Sequence, residues 1–314
     1  MSSIFEKAKD KAIHINCTLP TLLKTKSEEY VMKDEHVLAQ VLSLMSMKYY
    51  TKKKTVLFTD VPGFKFYEKI GLLSFYDEID VDVVTLFTED IKTDHESFFV
   101  SAKTFGLYRL EPPFLFFDLD FILKQEIPES YFKKDLVYGH NEILRKEHMY
   151  SYLDFKNMNI DPILGFDDTI MMPNVCFVYM NNKELQSMYE KENLYIIQKK
   201  YKTDVPKWLF LHSEQGCLGQ ILHKNTNFNC DVLKKKSFLQ YPTDKQSVVS
   251  TPSWVVTEDY KPENDVDFFH LWGKKDEIFS NESVRTKCHE LLYDFVYNKG
   301  MEEFLKLGVV KYFL

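Results

Sequence analysis

Apolar residues recur in short blocks, with two different spacings, through the first 125 positions. The blocks at 12–17, 55–59, 81–86 and 114–118 are near-continuous apolar or β-branched runs, which predict strands buried on both faces. Between them, 35–47 carries Val37, Leu38, Val41, Leu42 and Met45 at helical spacing, and 64–72 and 97–108 are shorter helical patterns. This alternation predicts an α/β fold with a mostly parallel central sheet flanked by helices. Ligands of such sheets gather beyond the carboxyl ends of the strands. The second half is less regular: 183–200 and 281–297 read as helices, 208–222 contains one, and 225–263 is loop-rich with strand-like fragments. No repeat or low-complexity linker divides the chain, so the expected organisation is one unit over 1–314, in which residues 126–314 complete a site begun by 1–125.

Composition narrows the function classes. Of 314 residues, 45% are hydrophobic and 28% charged, the balance of a globular protein. Forty Lys and Arg against 47 Asp and Glu leave a net charge of −7, so the basic surplus required for nucleic-acid binding is missing. The lysine clusters at 52–54 and 234–236 read as solvated faces. Five cysteines without CxxC spacing argue against a disulfide framework and a structural zinc motif, and point to the cytoplasm, the host's if the chain is viral. No signal peptide and no membrane span are expected.

The sharpest chemical feature is Phe114-Leu-Phe-Phe-Asp118-Leu-Asp120-Phe-Ile-Leu123, an apolar run delivering two carboxylates to the end of a central strand. Alternate residues of an extended strand share a face. Two convergent carboxylates repel unless a proton or cation lies between them, and a hard divalent ion suits oxygen ligands. The same spacing also occurs in simple strand-to-loop turns. Further along, Phe268-Phe-His270-Leu-Trp-Gly273-Lys274-Lys275 gathers an imidazole, a glycine and two ammonium groups. Histidine can complete an oxygen-rich metal shell, and lysines can neutralise a phosphate held by the same metal.

With these motifs the sequence resembles the GT-A-fold (Rossmann-like), nucleotide-sugar-dependent glycosyltransferases, in a layout similar to family 8 and related bacterial and viral capsular enzymes. The resemblance implies that 1–125 is a nucleotide-binding half and 126–314 an acceptor half with a C-terminal metal and phosphate motif. It implies Mn²⁺ or Mg²⁺ held by Asp118, Asp120 and His270, a UDP-sugar as the favoured donor, and a glycan or a lipid- or protein-linked hydroxyl as acceptor. Asp118 would also touch the donor, and Lys103, ahead of the Asp-x-Asp motif, would contact it. Gly273 with Lys274 or Lys275 would hold the diphosphate, although the family's lysine position three residues after the glycine is Asp276 here. Asn16, Cys17 and Thr18, ending the first strand, and Asp60, ending the second, would meet base or ribose; Thr and Asp also serve there as turn residues. Asn174, in an Asn-rich stretch lacking the family's glycine, and Gln215 would face the acceptor. Glu214 is the first catalytic carboxylate, with Asp167 and Asp168 as others; Ser213 and Glu214 also read as an ordinary helix N-cap and first-turn acid.

Two other classes use similar letters. Phe-Asp-Leu-Asp also resembles the haloacid dehalogenase phosphatase signature, with Asp118 as nucleophile and Asp167-Asp168 as a later magnesium pair. That motif belongs near the N-terminus, followed by Gly-Thr or Thr-Val, whereas Phe121-Ile122 follows here. A non-catalytic carbohydrate-binding or interaction protein would use Trp208, Trp254 and Trp272 for stacking or core packing.

Overall fold

Strand β1 (Lys11–Asn16) sends successive side chains to opposite sides, and both sides are buried. Ala12 packs into one hydrophobic cluster, Ile13 and Ile15 into another. A strand covered on both faces needs helices on both faces, and the rest of the chain supplies them. The structure is a computed structural model that describes residues 11–143, 152–160, 170, 172–199, 209–239, 266, 268–271 and 275–314.

After β1 come α1 (Leu19–Thr25), α2 (Asp34–Thr51), β2 (Lys54–Thr59), α3 (Val61–Lys69), β3 (Glu78–Asp80), α4 (Asp82–Asp90), α5 (Ser101–Tyr108), β4 (Phe114–Phe117) and β5 (Phe121–Leu123). The second half contributes β6 (Leu136–Ile143), α6 (Tyr152–Asn157), β7 (Met172–Met180), α7 (Lys183–Lys199), α8 (Leu209–Leu211), α9 (Cys217–Lys224), β8 (Cys230–Leu239), β9 (Phe268–His270), α10 (Lys275–Ser280), α11 (Glu282–Tyr293) and α12 (Gly308–Phe313). Seven strands form one sheet in the order β3-β2-β1-β4-β7-β6-β8, and β5 pairs with β9 in a separate ribbon. Only β7 runs antiparallel to its neighbours; every other pairing in the large sheet is parallel. The mixed α/β architecture with a mostly parallel sheet is therefore as expected. The chain moves outward from β1 to β2 and β3, then returns to place β4 on the other side of β1. The crevice beyond the carboxyl ends of β1 and β4 is thus a topological switch point, where open α/β sheets bind ligands.

One face of the sheet is covered by α2, α11, α12 and the turns between them, the other by α4, α5, α7 and α9. Helix α2 departs from an ordinary surface helix: every residue from Val37 to Met47 is buried, including Gln40, Ser43 and Ser46. Its start is favoured by Asp34 and Glu35 in the first turn, where carboxylates meet the positive end of the helix dipole.

The apolar block at 81–86 is not a strand. The Asp80 carboxylate accepts hydrogen bonds from the backbone N–H groups of Asp82 (2.9 Å) and Val83 (3.1 Å), which starts α4. Val83, Val84 and Phe87 then bury one helical face, and only Glu78–Asp80 pairs with β2. The helix expected over 208–222 is interrupted by a π-helical turn, His212–Gly216, between α8 and α9. Strands β6 and β7 carry no expectation from the sequence pattern. They contain Gly139-His-Asn-Glu142 and Pro173-Asn174, polar runs that hide the alternation.

Candidate functional site

Asp118 and Asp120 lie in the tight turn that joins β4 to β5, one residue beyond the strand on which their shared face was expected. The turn is tied down on every side. The Phe121 N–H donates to the Asp118 carbonyl (3.1 Å), the Asp118 N–H to the carbonyl of Cys176 on β7 (2.7 Å), and the Leu271 N–H to the Asp120 carbonyl (3.0 Å). The antiparallel register of β5 with β9 places His270 directly opposite Phe121, next to Asp120. His270 Nε2 lies 3.6 Å from Asp120 Oδ1. Asp118, Asp120 and His270 each offer one ligand atom, and these three atoms all lie within 4.8 Å of one another.

The surrounding charge favours a cation. Lys103, on α5, reaches Asp118 Oδ1 (3.0 Å) and Oδ2 (3.3 Å) and also pairs with Glu214 Oε1. Burial opposes the charge on Lys103, but Asp118 and Glu214 outweigh it and hold the ammonium protonated well above the ordinary lysine range. Burial pushes the Asp118 carboxyl up to about 7; Lys103 pulls it down, and Asp120 and Glu214 push it up again. Two carboxylates, Asp118 and Glu214, thus meet one ammonium, with Asp120 close enough to act on Asp118. Two carboxylates and an imidazole within reach of one point fit a divalent ion such as Mn²⁺ or Mg²⁺.

Lys103, Glu214 and Gln215 do meet at this end of the sheet. The π-turn that holds Glu214 lies inside a continuous helical run, so Ser213 is not an N-cap: its hydroxyl donates back to the Phe210 carbonyl (2.8 Å). Asn193 on α7 donates to the Ser213 carbonyl. π-turns of this kind are often functional. Asn174 on β7 also reaches the cluster, but both ends of its amide are engaged. It donates to Glu142 Oε1 and accepts from the Cys176 N–H at 2.8 Å.

The residues at the ends of β1 and β2 lie together and are tied to each other. Asp60 accepts from the Thr18 N–H and hydroxyl, both at 2.7 Å, and from the Gly63 N–H at 3.1 Å, capping α3. Asn16 donates to the hydroxyls of Tyr67 (2.6 Å) and Tyr30 (3.4 Å). Burial and the Asp60 carboxylate push the Cys17 thiol upward, so it stays protonated. Asp60 thus serves the turn into α3 and holds Thr18 beside the carboxyl ends of β1 and β2. Asp167, Asp168, Gly273 and Lys274 lie outside the described residues, and only the backbone of Lys275, at the start of α10, is described.

Two features of the site escaped the sequence reading. Glu142 on β6 is fully buried, hydrogen-bonded to Asn174 and to the Gln215 side chain, and its carboxyl is pushed up to about 8 by burial, with Glu214 adding to the rise. The signal was His140-Asn-Glu142, two ionisable residues on one face of a strand. The second is a buried polar relay under the Asp-x-Asp turn. Asn16 donates to Tyr67, Tyr67 to Gln40 Oε1 (2.9 Å), and Gln40 Nε2 to Tyr76 (3.0 Å). Tyr76 lies 2.7 Å from His14 Nδ1, His14 Nε2 lies 3.0 Å from Ser43, and Ser43 reaches the Phe121 carbonyl at 2.6 Å. Because Ser43 spends its hydrogen on a carbonyl, His14 must carry its proton on Nε2 and accept from Tyr76 at Nδ1. A neutral ring follows, and burial does hold His14 down to about 3.

No family model matches the chain, and no curated protein matches it by sequence. Solved structures similar to it include the PaToxG glycosyltransferase, at 10% identity and TM-score 0.37, with 69% of each chain covered. Mouse xyloside xylosyltransferase 1 in its apo form is another, at 12% identity and TM-score 0.41 over 83% of this chain and 97% of that one. A third is galactosyltransferase LgtC in complex with donor and acceptor sugar analogues, at 10% identity and TM-score 0.36 over 71% of this chain and 72% of that one.

Proposed function

We propose that this chain is a cytoplasmic, metal-dependent glycosyltransferase that moves a sugar from a nucleotide-diphosphate donor, UDP-linked by preference, to a hydroxyl of a glycan or of a lipid- or protein-linked acceptor. The observation that carries the reading is the convergence of Asp118, Asp120 and His270 at the carboxyl end of β4, beside the sheet's switch point. Asp118, Asp120 and His270 would hold Mn²⁺ or Mg²⁺, which when bound neutralises a diphosphate and the charge developing on it as it leaves. Lys103 adds a fixed positive charge at the same end, oriented by Asp118 and Glu214. Glu142, protonated near neutral pH and held by Asn174 and Gln215, and Glu214, paired with Lys103, form the polar wall that would address the sugar and the acceptor hydroxyl. Asp167, Asp168, Gly273, Lys274 and Lys275 keep the sugar- and phosphate-facing roles their motifs suggest. Among the described residues no helix is long and apolar enough to cross a membrane.

A thermal-shift screen of UDP, GDP, ADP and CDP, each with and without Mn²⁺, tests the reading, because a ligand that binds only the folded state raises the melting temperature. A rise that requires one nucleotide and Mn²⁺ together is expected, with UDP the largest. No response to any nucleotide, with hydrolysis of a generic phosphate ester in Mg²⁺, would replace transfer by phosphatase chemistry.

A further inference from the structure

His270 belongs to two ligand sets. Besides the oxygen-rich set with Asp118 and Asp120, it forms a second with His140 and Cys176, whose ligand atoms also all lie within 4.8 Å of one another. This second set is entirely buried: His140 is 1% exposed, Cys176 0% and His270 4%. Three elements bring it together. His140 comes from β6, Cys176 from the adjacent β7, and His270 from β9, held against the Asp-x-Asp turn. At Gly139 a Cβ would overlap the Cys176 sulfur, so β6 passes against the thiol and fixes it beside His140.

We propose that His140, Cys176 and His270 form a soft-metal site, selective for Zn²⁺, that competes for His270 with the site made by Asp118 and Asp120. The donor chemistry separates the two. A thiolate with two imidazoles suits zinc, whereas carboxylates suit Mg²⁺ and Mn²⁺. His140 is already set up as a ligand. Its Nδ1 lies 3.5 Å from the Asn141 carbonyl, which can only accept, so the neutral ring carries its hydrogen there and turns the lone pair of Nε2 the other way. His140 Nε2 lies 3.9 Å from Glu142 Oε1, so a carboxyl group stands where it can complete the shell or balance the charge of the ion. Ligands of one tetrahedral zinc stand roughly 3.3–3.6 Å apart, given Zn–S near 2.3 Å and Zn–N near 2.0 Å, so closing the set takes side-chain movements of about an ångström. On binding, the Cys176 thiol releases its proton to solvent as the sulfur takes the metal. With its ring drawn to the soft set, His270 is no longer held toward Asp120. Zinc would thereby act against the oxygen-rich site.

Cobalt(II) is the probe, because thiolate ligation gives an intense charge-transfer absorption that oxygen and nitrogen ligands do not. Full-length wild-type protein titrated with Co²⁺ should show this band with one equivalent bound, and one equivalent of Zn²⁺ should erase it. Cys176→Ser should lose the band, His140→Asn should weaken cobalt binding at least tenfold, and Asp118→Asn should keep it. Circular dichroism establishes that each variant is folded, and Cys176→Ala stands in if the serine variant is not. Absence of the band in folded wild-type protein, or its survival in the Cys176 variants, would overturn the assignment. So would a band lost in Asp118→Asn and retained in Cys176→Ser. The titration contains no nucleotide, so failure of the transferase reading would leave its result unaffected.

Discussion

The Ser43 hydroxyl donates to the Phe121 carbonyl at 2.6 Å, joining the middle of α2 to the end of the Asp-x-Asp turn. The same oxygen lies 3.2 Å from the Asp118 carbonyl, and Ser46, one helical turn along, accepts from the Leu123 N–H at 3.1 Å. Gln40, Ser43 and Ser46 thus form a polar stripe, three residues apart, on a helix that is otherwise buried in apolar contacts. The stripe sets the position of the two carboxylates without touching anything they bind.

Ser43→Ala should therefore act at two levels. It strands the Phe121 carbonyl and the His14 Nε2–H in a dry interior, at about 1–3 kcal/mol for each buried group left without a partner. Urea unfolding should report the loss, and the Mn²⁺-dependent nucleotide response should weaken in protein that remains folded. An unfolding free energy within about 0.5 kcal/mol of wild type, the range of an ordinary surface change, would mean that the relay does not end at Ser43.

Removing the Lys103 ammonium should be more costly still. Lys103→Met leaves Asp118 and Glu214 facing each other without their counter-charge, and breaking a buried ion pair from one side costs about 3–5 kcal/mol. The double variant Lys103→Met/Glu214→Gln should recover part of that loss, since it removes one of the stranded carboxylates. A thermodynamic cycle over the four proteins measures the coupling. Additive losses would show that Lys103 and Glu214 do not share the interaction.

The pH dependence of the metal-free protein follows from its buried groups. Burial holds His14, His140 and His212 down to about 3, against an ordinary value of 6.5, so the unfolded chain binds more protons than the folded one as pH falls below 6.5. Stability drops on that side. The raised carboxyls act in the opposite sense: Asp118, at about 7, and Glu142, at about 8, hold protons in the fold that the unfolded chain has released. Stability drops there as pH rises toward 8. From the ordinary carboxylate range up to about 6, three rings outweigh two carboxyls, and by 6.5 the rings of the unfolded chain are half discharged, so stability should be greatest at about pH 6–6.5 and decline on both sides. Melting temperatures from pH 5 to 8.5 in the presence of a chelator test this, and Glu142→Gln should flatten the alkaline side. A steady rise to pH 8.5 would mean that Glu142 is ionised throughout.

How far the sequence discloses this arrangement depends on whether a residue's role is set by local spacing. β1, β2 and β4 announce themselves because strands buried on both faces must be apolar throughout. Asp118 and Asp120 stand out as the polar end of such a run. Position 81–86 misleads because the same β-branched residues suit a buried helical face once Asp80 caps it. The partnership of His270 with Asp120 rests on a motif resemblance in the sequence; in the structure it rests on the pairing of β5 with β9, more than 140 residues apart, which no local pattern encodes. Glu142 and His140 are hidden for a related reason, since their strand is polar on the face it turns into the site. The Gln40, Ser43 and Ser46 stripe was visible as three polar residues in an apolar helix, but the surface on which it acts exists only after β5 folds against α2.

Asp120 gives the most direct test of the proposed chemistry. Its side chain is partly exposed and faces His270 Nε2 at 3.6 Å, while the turn itself is held by backbone bonds from Phe121 and Leu271 and by the Ser43 hydroxyl. None of those bonds uses the Asp120 carboxylate, so Asp120→Ala should fold with a melting temperature close to wild type. It removes one of the two carboxylates of the oxygen-rich set, however, leaving Asp118, which Lys103 already holds, and His270. Sugar transfer should be abolished and the Mn²⁺-dependent part of the nucleotide response lost. Asp120→Asn, which keeps an oxygen but not the charge, should fold equally well and remain severely impaired, separating the need for charge from the need for shape. Full activity in a folded Asp120→Ala protein would remove the metal from the mechanism and with it the role assigned to this turn.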